Sequence, residues 1–350
     1  MKKLAIYCDS LSRGGAERVT ICLAKYMIDA GISCDIITTR YGKEEYELPI
    51  GVTRYCADSR SIKVLRKLFK KSGADTLLIM GVPICVFGIP ASRRLNMKVV
   101  VSERNAPSMF AGRKSTKVLS RFLMKFADGF VFQTNDAKNF YAKVLNNRGT
   151  VIPNPIILDG FPEVYRGKRN SCIVTAGRLV GQKNHELLIK AFSKIANKYP
   201  DVNLIIYGEG NLRESLVALV KELDLWGRVN LPGNKENLPD LIKSSMHFVL
   251  PSHFEGMPNA LIEAMALGLP CIATDCPCGG PRELIQNGKN GILVPVDDES
   301  ALVDAMDNLI SNELLRNKLG DKASEVRKSL NVSTIGATWK NFLTNIKPSI

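Results

Sequence analysis

Four charged residues set out the chemistry this sequence can perform. Arg178 and Lys183 share the short run Gly177-Arg178-Leu179-Val180-Gly181-Gln182-Lys183-Asn184, directly after an apolar stretch. One is a forked guanidinium and the other a compact ammonium, and both suit a diphosphate. An isolated Arg and Lys more often read as solvated surface charges, but a place at the end of a strand reverses that. Glu255 and Glu263 are separated by seven residues, with Gly256-Met257-Pro258-Asn259-Ala260 following the first of them. That segment predicts a tight loop running into a helix, with Pro258 at the first helical position and Gly268 and Pro270 ending it. Backbone N–H groups at such a loop and helix start can meet an anion. Glu255 would lie in the loop and Glu263 about one turn into the helix. One can reach a ribose while the other reaches whatever the phosphate carries.

Positioning these groups requires buried strands. Leu4–Cys8, Cys34–Thr39, Thr76–Met80, Val99–Ser102 and Phe130–Thr134 are short apolar runs suited to buried parallel strands. The helical patterns Ala16–Ala30, Lys63–Lys71, Thr116–Phe126 and Asp136–Leu145 alternate with them. A polar connector, Asp159 to Asn170, follows. Alternation then resumes with strands at Cys172–Ala176, Asn203–Tyr207, Val229–Leu231, Met246–Leu250, Cys271–Thr274 and Ile292–Val294. Repeated βα units over 350 residues predict an α/β protein of two doubly wound, Rossmann-like domains. The expected spans are 1–158 and 170–334, with 335–350 as a terminal helix crossing back. Ligands of such sheets bind beyond the carboxyl ends of the strands, which predicts a site in a cleft between facing domains.

Further glycine turns stand at strand ends. Gly14 and Gly15 follow the first strand, where backbone can approach a phosphate or sugar, although a Gly-Gly turn alone is as often structural. The run is not a full G-x-G-x-x-G, which argues against a nicotinamide cofactor. Gly208 and the Pro232-Gly233-Asn234 turn are candidates for the wall around a base and ribose. The nine cysteines are scattered, several inside apolar runs, as in a reducing cytoplasm. Cys276 and Cys278 lack the second pair that a metal site would need. The opening MKKLAIYCDS runs straight into a glycine loop, which predicts neither a leader nor a membrane span.

In sequence order, the Gly14–Arg18 motif, Gly177-Arg178 with Gln182-Lys183, and Glu255-x7-Glu263 together resemble glycosyltransferase family 4, the retaining transferases of GT-B fold. The likeness spans almost the whole chain. Thr274-Asp275-Cys276-Pro277-Cys278-Gly279-Gly280-Pro281-Arg282-Glu283 looks like bacterial enzymes that build capsule, O-antigen or other surface polysaccharide. The resemblance implies a nucleotide-sugar donor, UDP-linked, and a lipid-linked or oligosaccharide acceptor. Arg178 and Lys183 would hold the diphosphate, and Glu263 the ribose hydroxyls. Glu255 would touch the donor sugar, helped by backbone from Gly256 to Ala260. Gly14 and Gly15 would line the cleft, and residues near Asn234 would meet the base. No metal cofactor is implied, because protein cations and helix dipoles take the developing charge. Many relatives carry a histidine at the end of a central strand of the first domain. This chain has Val101-Ser102-Glu103-Arg104-Asn105 there, and its histidines are His185, His247 and His253. Glu103 can orient the acceptor hydroxyl or pair with Arg104.

The net charge of +14 is one-sided: residues 1–155 hold 26 Lys and Arg against 12 Asp and Glu, and the remainder holds 22 of each. An anionic partner of the first half follows, either nucleic acid or a membrane surface. Nucleic acid lacks a recognisable motif here. Arg60–Lys71 and Arg113–Lys125 place Ile62, Leu65, Leu68, Phe69, Val118, Leu119, Phe122, Leu123 and Phe126 on helical faces. Those stripes are expected to pack on the sheet while the cations face water or anionic lipid. The expected location is cytoplasmic, peripheral on the inner face of the plasma membrane. Rival readings are a GT-B epimerase or phosphorylase, and a non-catalytic basic binding module.

Overall fold

The computed structural model describes residues 1–347 except 13, 108–113 and 146–147, so Arg113 of the basic segment above lies outside the described residues. The chain forms two compact units, residues 1–157 with 330–350, and residues 158–329.

Unit 1 is built on seven strands: β1 (Lys3–Cys8), β2 (Ser33–Thr38), β3 (Thr53–Cys56), β4 (Thr76–Met80), β5 (Lys98–Ser102), β6 (Gly129–Phe132) and β7 (Gly149–Val151). Their order is β3-β2-β1-β4-β5-β6-β7, with every pair parallel. Strands such as Thr76-Leu77-Leu78-Ile79-Met80 are buried along their whole length, as helix-covered parallel strands must be. The one acid inside a central strand, Asp35, is matched by Lys3 Nζ at 2.8 Å and the Ser72 hydroxyl at 2.7 Å.

Unit 2 carries β8 (Cys172–Ala176), β9 (Asn203–Tyr207), β10 (Val229–Gly233), β11 (His247–Leu250), β12 (Cys271–Thr274) and β13 (Ile292–Val294), in the order β10-β9-β8-β11-β12-β13. These pairs are also parallel. Leu188, Phe192, Leu204, Ile206, Val249, Ile272 and Leu302 form part of its core. In each sheet the chain winds outward in one direction and then returns to the other side of its first strand. The switch points lie between β1 and β4 and between β8 and β11.

The boundaries follow from packing. The polar stretch before β8 belongs to unit 2, because Arg169 donates to the carbonyls of Lys243 (3.2 Å), Ser245 (3.0 Å) and Gly268, and Tyr165 N donates to Leu267 O at 3.1 Å. The terminal helix spans Val332–Asn345, with Asn331 accepting from Thr334 N at its start, and it belongs to unit 1. It buries Trp339, and Gly336 sits against the Tyr26 ring. Residues 330–334 therefore belong to unit 1 as well.

One expectation about packing is reversed. Helix Ile62–Ser72 buries Leu65 and Phe69 as its stripe predicts, and leaves Ile62 exposed. In helix Lys114–Met124, by contrast, Ser120 and Met124 are fully buried, while Val118 is 70% and Phe122 55% exposed. Leu119 and Phe126 are exposed too. The small Ser120 lets this helix sit close to its neighbour, where the Cys85 thiol donates to the Ser120 carbonyl, and its own hydroxyl is satisfied by Thr116 O.

Candidate active site

Unit 2 brings two of the four expected charges into direct contact. Lys183 lies at the end of the 3₁₀ turn Gly181–Lys183 after β8, and Glu255 in the loop after β11, the strands that flank the switch point. Lys183 Nζ donates to Glu255 Oε1 at 2.6 Å, with the two side chains only 14% and 7% exposed. The Ser252 hydroxyl donates to the same oxygen at 2.7 Å. Thr274 Oγ1 in turn donates to Ser252 O at 2.5 Å. Glu255 is also fixed through its backbone, with its N–H on Pro277 O at 2.7 Å and its carbonyl accepting from Cys278 N at 3.0 Å.

The two loops are also joined outside this pair. Gln182 Nε2 donates to Phe254 O at 3.0 Å, and His253 N donates to Gln182 O at 2.9 Å. The His253 ring lies 2.9 Å from both Gly181 O and Asp297 Oδ1, and Asn184 Nδ2 reaches the same aspartate. Arg178 shares the loop with Lys183 but is exposed, with Nη2 3.5 Å from Gln182 Oε1. Helix Asn259–Ala266 begins after Pro258, which is the residue preceding the helix rather than its first residue, and Pro258 provides no side-chain cap. Gly256, Met257 and Pro258 are buried; Asn259, Ala260 and Glu263 are partly exposed, Glu263 being the fifth residue of the helix. An ammonium with two more donors, a guanidinium on the same turn and a helix start can together receive a diphosphate.

Glycines set how closely these loops approach. Gly208 has φ +136°, and a Cβ there would strike the carbonyl of Gly177; a Cβ on Gly280 would strike the carbonyl of Gly256. Gly208 N donates to Gly233 O at 3.1 Å, so the turns after β8, β9 and β10 lie in a row. Asn234, exposed just beyond β10, is two strands from Lys183. Gly208 itself is buried in this row.

Unit 1 has its own depression at its switch point, about 250 Å³, lined by Asp9, Glu17, Met80, Ile84, Glu103 and Arg104 among others. Gly14 and Gly15 open helix Gly15–Asp29 beside it, the first partly exposed and the second exposed. Glu103 is buried. Its Oε1 accepts from Arg104 N (2.9 Å) and Asn105 N (3.2 Å), and its Oε2 accepts from the Tyr141 hydroxyl at 3.2 Å. The side-chain pairing expected with Arg104 is not made. The Arg104 guanidinium turns instead to Asn154 and, at 3.5 Å, to Ser102 Oγ. Burial pushes the Glu103 carboxyl up to about 7, against the lowering effect of its hydrogen bonds. Burial, with the Asp9 charge adding, also pushes Glu17 up. Asp9 is held by Arg40 at 3.0 Å and Arg60 at 3.1 Å. His185 and His247 are buried and pushed down to about 4 and about 3 by desolvation, so both are neutral core residues.

Sequence reasoning missed Ser252, the His253–Asp297 clamp and Tyr141, and it marked Gln182 as part of a motif without its bond to Phe254. Only Ser252 had a local signal, three residues before Glu255 on the same loop.

Comparison with known proteins gives the family. The chain matches the family described as Glycosyltransferase Family 4 over residues 13–159 and that described as Glycosyl transferases group 1 over residues 163–326. A glycosyltransferase of Haemophilus influenzae, itself uncharacterised, is 30% identical over 98% of this chain and 100% of its own. A Campylobacter jejuni enzyme is 27% identical over 98% of this chain and 100% of its own. Its name is N-acetylgalactosamine-N,N'-diacetylbacillosaminyl-diphospho-undecaprenol 4-alpha-N-acetylgalactosaminyltransferase. Among solved structures, Anabaena HepE in complex with UDP and glucose superposes with a TM-score of 0.84 at 18% identity, covering 98% of this chain and all of that one. The fold and these relatives thus define a glycosyltransferase with two Rossmann-like units. The chain belongs to glycosyltransferase family 4, of GT-B fold, and its relatives include bacterial enzymes of polysaccharide synthesis.

Proposed function

We propose that this glycosyltransferase is a retaining enzyme that moves a hexose or N-acetylhexosamine from a UDP-sugar to a polyprenyl-diphosphate-linked or lipopolysaccharide sugar. The acceptor class is supported by the Campylobacter relative, whose name specifies a diphospho-undecaprenol substrate, and the donor by the UDP bound to HepE. The observation that carries the reading is the Lys183–Glu255 pair at the unit 2 switch point, with Arg178 on the same loop. Arg178 and Lys183 hold the diphosphate and stabilise it as it leaves. Glu263 binds the ribose hydroxyls, and residues near Asn234 meet the base. Glu255, anchored by Ser252, touches the sugar together with the Gly256–Ala260 backbone.

The donor's bond from anomeric carbon to phosphate oxygen breaks as the acceptor oxygen bonds to the same face of that carbon. The acceptor proton passes to the departing phosphate oxygen, so no separate base is needed. Glu103 orients the acceptor hydroxyl, and Gly14 and Gly15 let backbone approach the substrate. The protein's own cations take the charge without a metal. The lipid-linked acceptor puts the reaction at the inner face of the plasma membrane, on the cytoplasmic side; no helix among the described residues is long and apolar enough to cross a membrane.

The test is transfer from UDP-glucose, UDP-GlcNAc and UDP-GalNAc to a short polyprenyl-diphosphate sugar in detergent, with and without EDTA. An α-linked product from one donor, formed at an unchanged rate in EDTA, is expected. A β-linked product, epimerisation of the donor without acceptor, or a rate abolished by EDTA and restored by a divalent ion would each overturn part of the proposal.

A further inference from the structure

Helix Lys114–Met124 is amphipathic, but it presents its apolar side outward. Val118, Phe122 and Phe126 follow one another at i, i+4 and i+8 and share a stripe with Leu119; all four are exposed. The opposite side, Ser120 and Met124, is fully buried. Phe122 and Phe126 pack edge to face at 5.7 Å, so the ridge is a formed surface.

Cations border this ridge. Lys125 is exposed next to it, Arg93 stacks on the Phe126 ring at 5.0 Å, and Lys117 and Arg121 lie over the half-exposed Phe140 at 5.7 and 4.8 Å. Helix Ile62–Ser72 adds Lys63, Lys67, Lys70 and the exposed Ile62 to the same unit. Unit 1 as divided by packing holds 28 Lys and Arg against 12 Asp and Glu. Four large apolar side chains in a cluster are more than scattered surface exposure explains, and such a patch marks an interaction site.

We propose that this face docks on an anionic phospholipid bilayer. Val118, Leu119, Phe122 and Phe126 enter the boundary between headgroups and acyl chains, and Lys117, Arg121, Arg93 and Lys125 meet lipid phosphates. Apolar ridge and cationic border together match what an interfacial helix needs. A second copy of the chain fits less well, because it would bring two surfaces of one sign together. The proposal deepens the reading of a lipid-linked acceptor and rests on it for its biological purpose, though the docking can be measured without any substrate.

The experiment is flotation of the full chain with vesicles of phosphatidylcholine alone or with 30% phosphatidylglycerol, from low to high salt. Wild type is expected to float with the anionic vesicles and to lose binding as salt rises. Val118→Ser with Phe122→Ser should reduce partition about tenfold or more, as for two apolar side chains left in water. Each of Lys117→Gln, Arg121→Gln and Lys125→Gln should reduce it about fivefold. Phe122→Trp should show a blue-shifted emission on anionic vesicles. Equal binding to neutral vesicles, wild-type partition by the double serine variant, no Trp shift, or a dimer in solution that the serine changes dissolve would overturn the proposal. Transfer to the short acceptor in detergent should be unaffected by the serine changes. Failure of that transfer in wild type would count against the functional reading and leave the flotation result standing.

Discussion

The two units share one architecture but differ in what each places at its switch point. Unit 2 puts a largely buried ammonium–carboxylate pair there, with an exposed guanidinium beside it. Unit 1, despite its large excess of cations, lines its depression with Asp9, Glu17 and Glu103; Arg104 is the one cation among the described lining residues, with Arg40 and Arg60 pairing with Asp9 from beyond it. Its positive charge is spread over outer helices. On the proposed reading the shared fold gives both units a switch-point site and local side chains decide its sign: unit 2 would take an anion, and unit 1 hydroxyl groups that donate to carboxylates. Net charge, read for the whole first half, misrepresents its pocket.

The sharpest way to break this contrast is at the unit 2 pair. Lys183→Ala leaves Glu255 buried without its partner, and should cost about 3–5 kcal/mol of stability, read by denaturant unfolding of the full chain. A cost near zero would show that the pair is solvated. Next, Arg178→Ala should lower turnover about a hundredfold, as for loss of one electrostatic donor, with an unchanged melting temperature because the side chain is exposed. Full turnover would remove Arg178 from the site.

The smallest effect is expected in unit 1. A folded-state Glu103 pKa of about 7 lies above the ordinary glutamate value. The folded protein therefore holds this proton more tightly than the unfolded chain, and the stabilisation present at low pH is lost as pH rises towards 7 and beyond. Between pH 5 and 8 this amounts to about 2 kcal/mol, and Glu103→Gln should flatten that slope. An equally steep decline in the variant would place the titrating group elsewhere.

Much of the fold was legible because its strands are uninterrupted apolar runs: β4, β8, β9, β12 and β13 fall on the residues that pattern marks. The edge strand Thr53–Cys56 was missed because half-buried Thr-Arg-Tyr-Cys has no such run, and β7 because Gly-Thr-Val holds a single large apolar residue, unlike the equally short Ile-Leu-Val of β13. Helix Cys85–Ser92 was hidden by Gly88 and Pro90. At the site, residue types announced Lys183 and Glu255 separately, but not that they neutralise one another across 72 positions of sequence. Likewise, periodicity identified the stripe on helix Lys114–Met124 but not its direction. A helical pattern says which residues lie together, and only packing says which side is covered.

The glycine contacts have a consequence for redesign. Since any side chain at Gly208 or Gly280 would wedge apart main chain belonging to Gly177 or Gly256, these segments interlock like adjoining tiles. Donor preference can then be retuned by exchanging side chains on a fixed frame. Transplanting one segment from a relative would demand that its neighbour be exchanged with it.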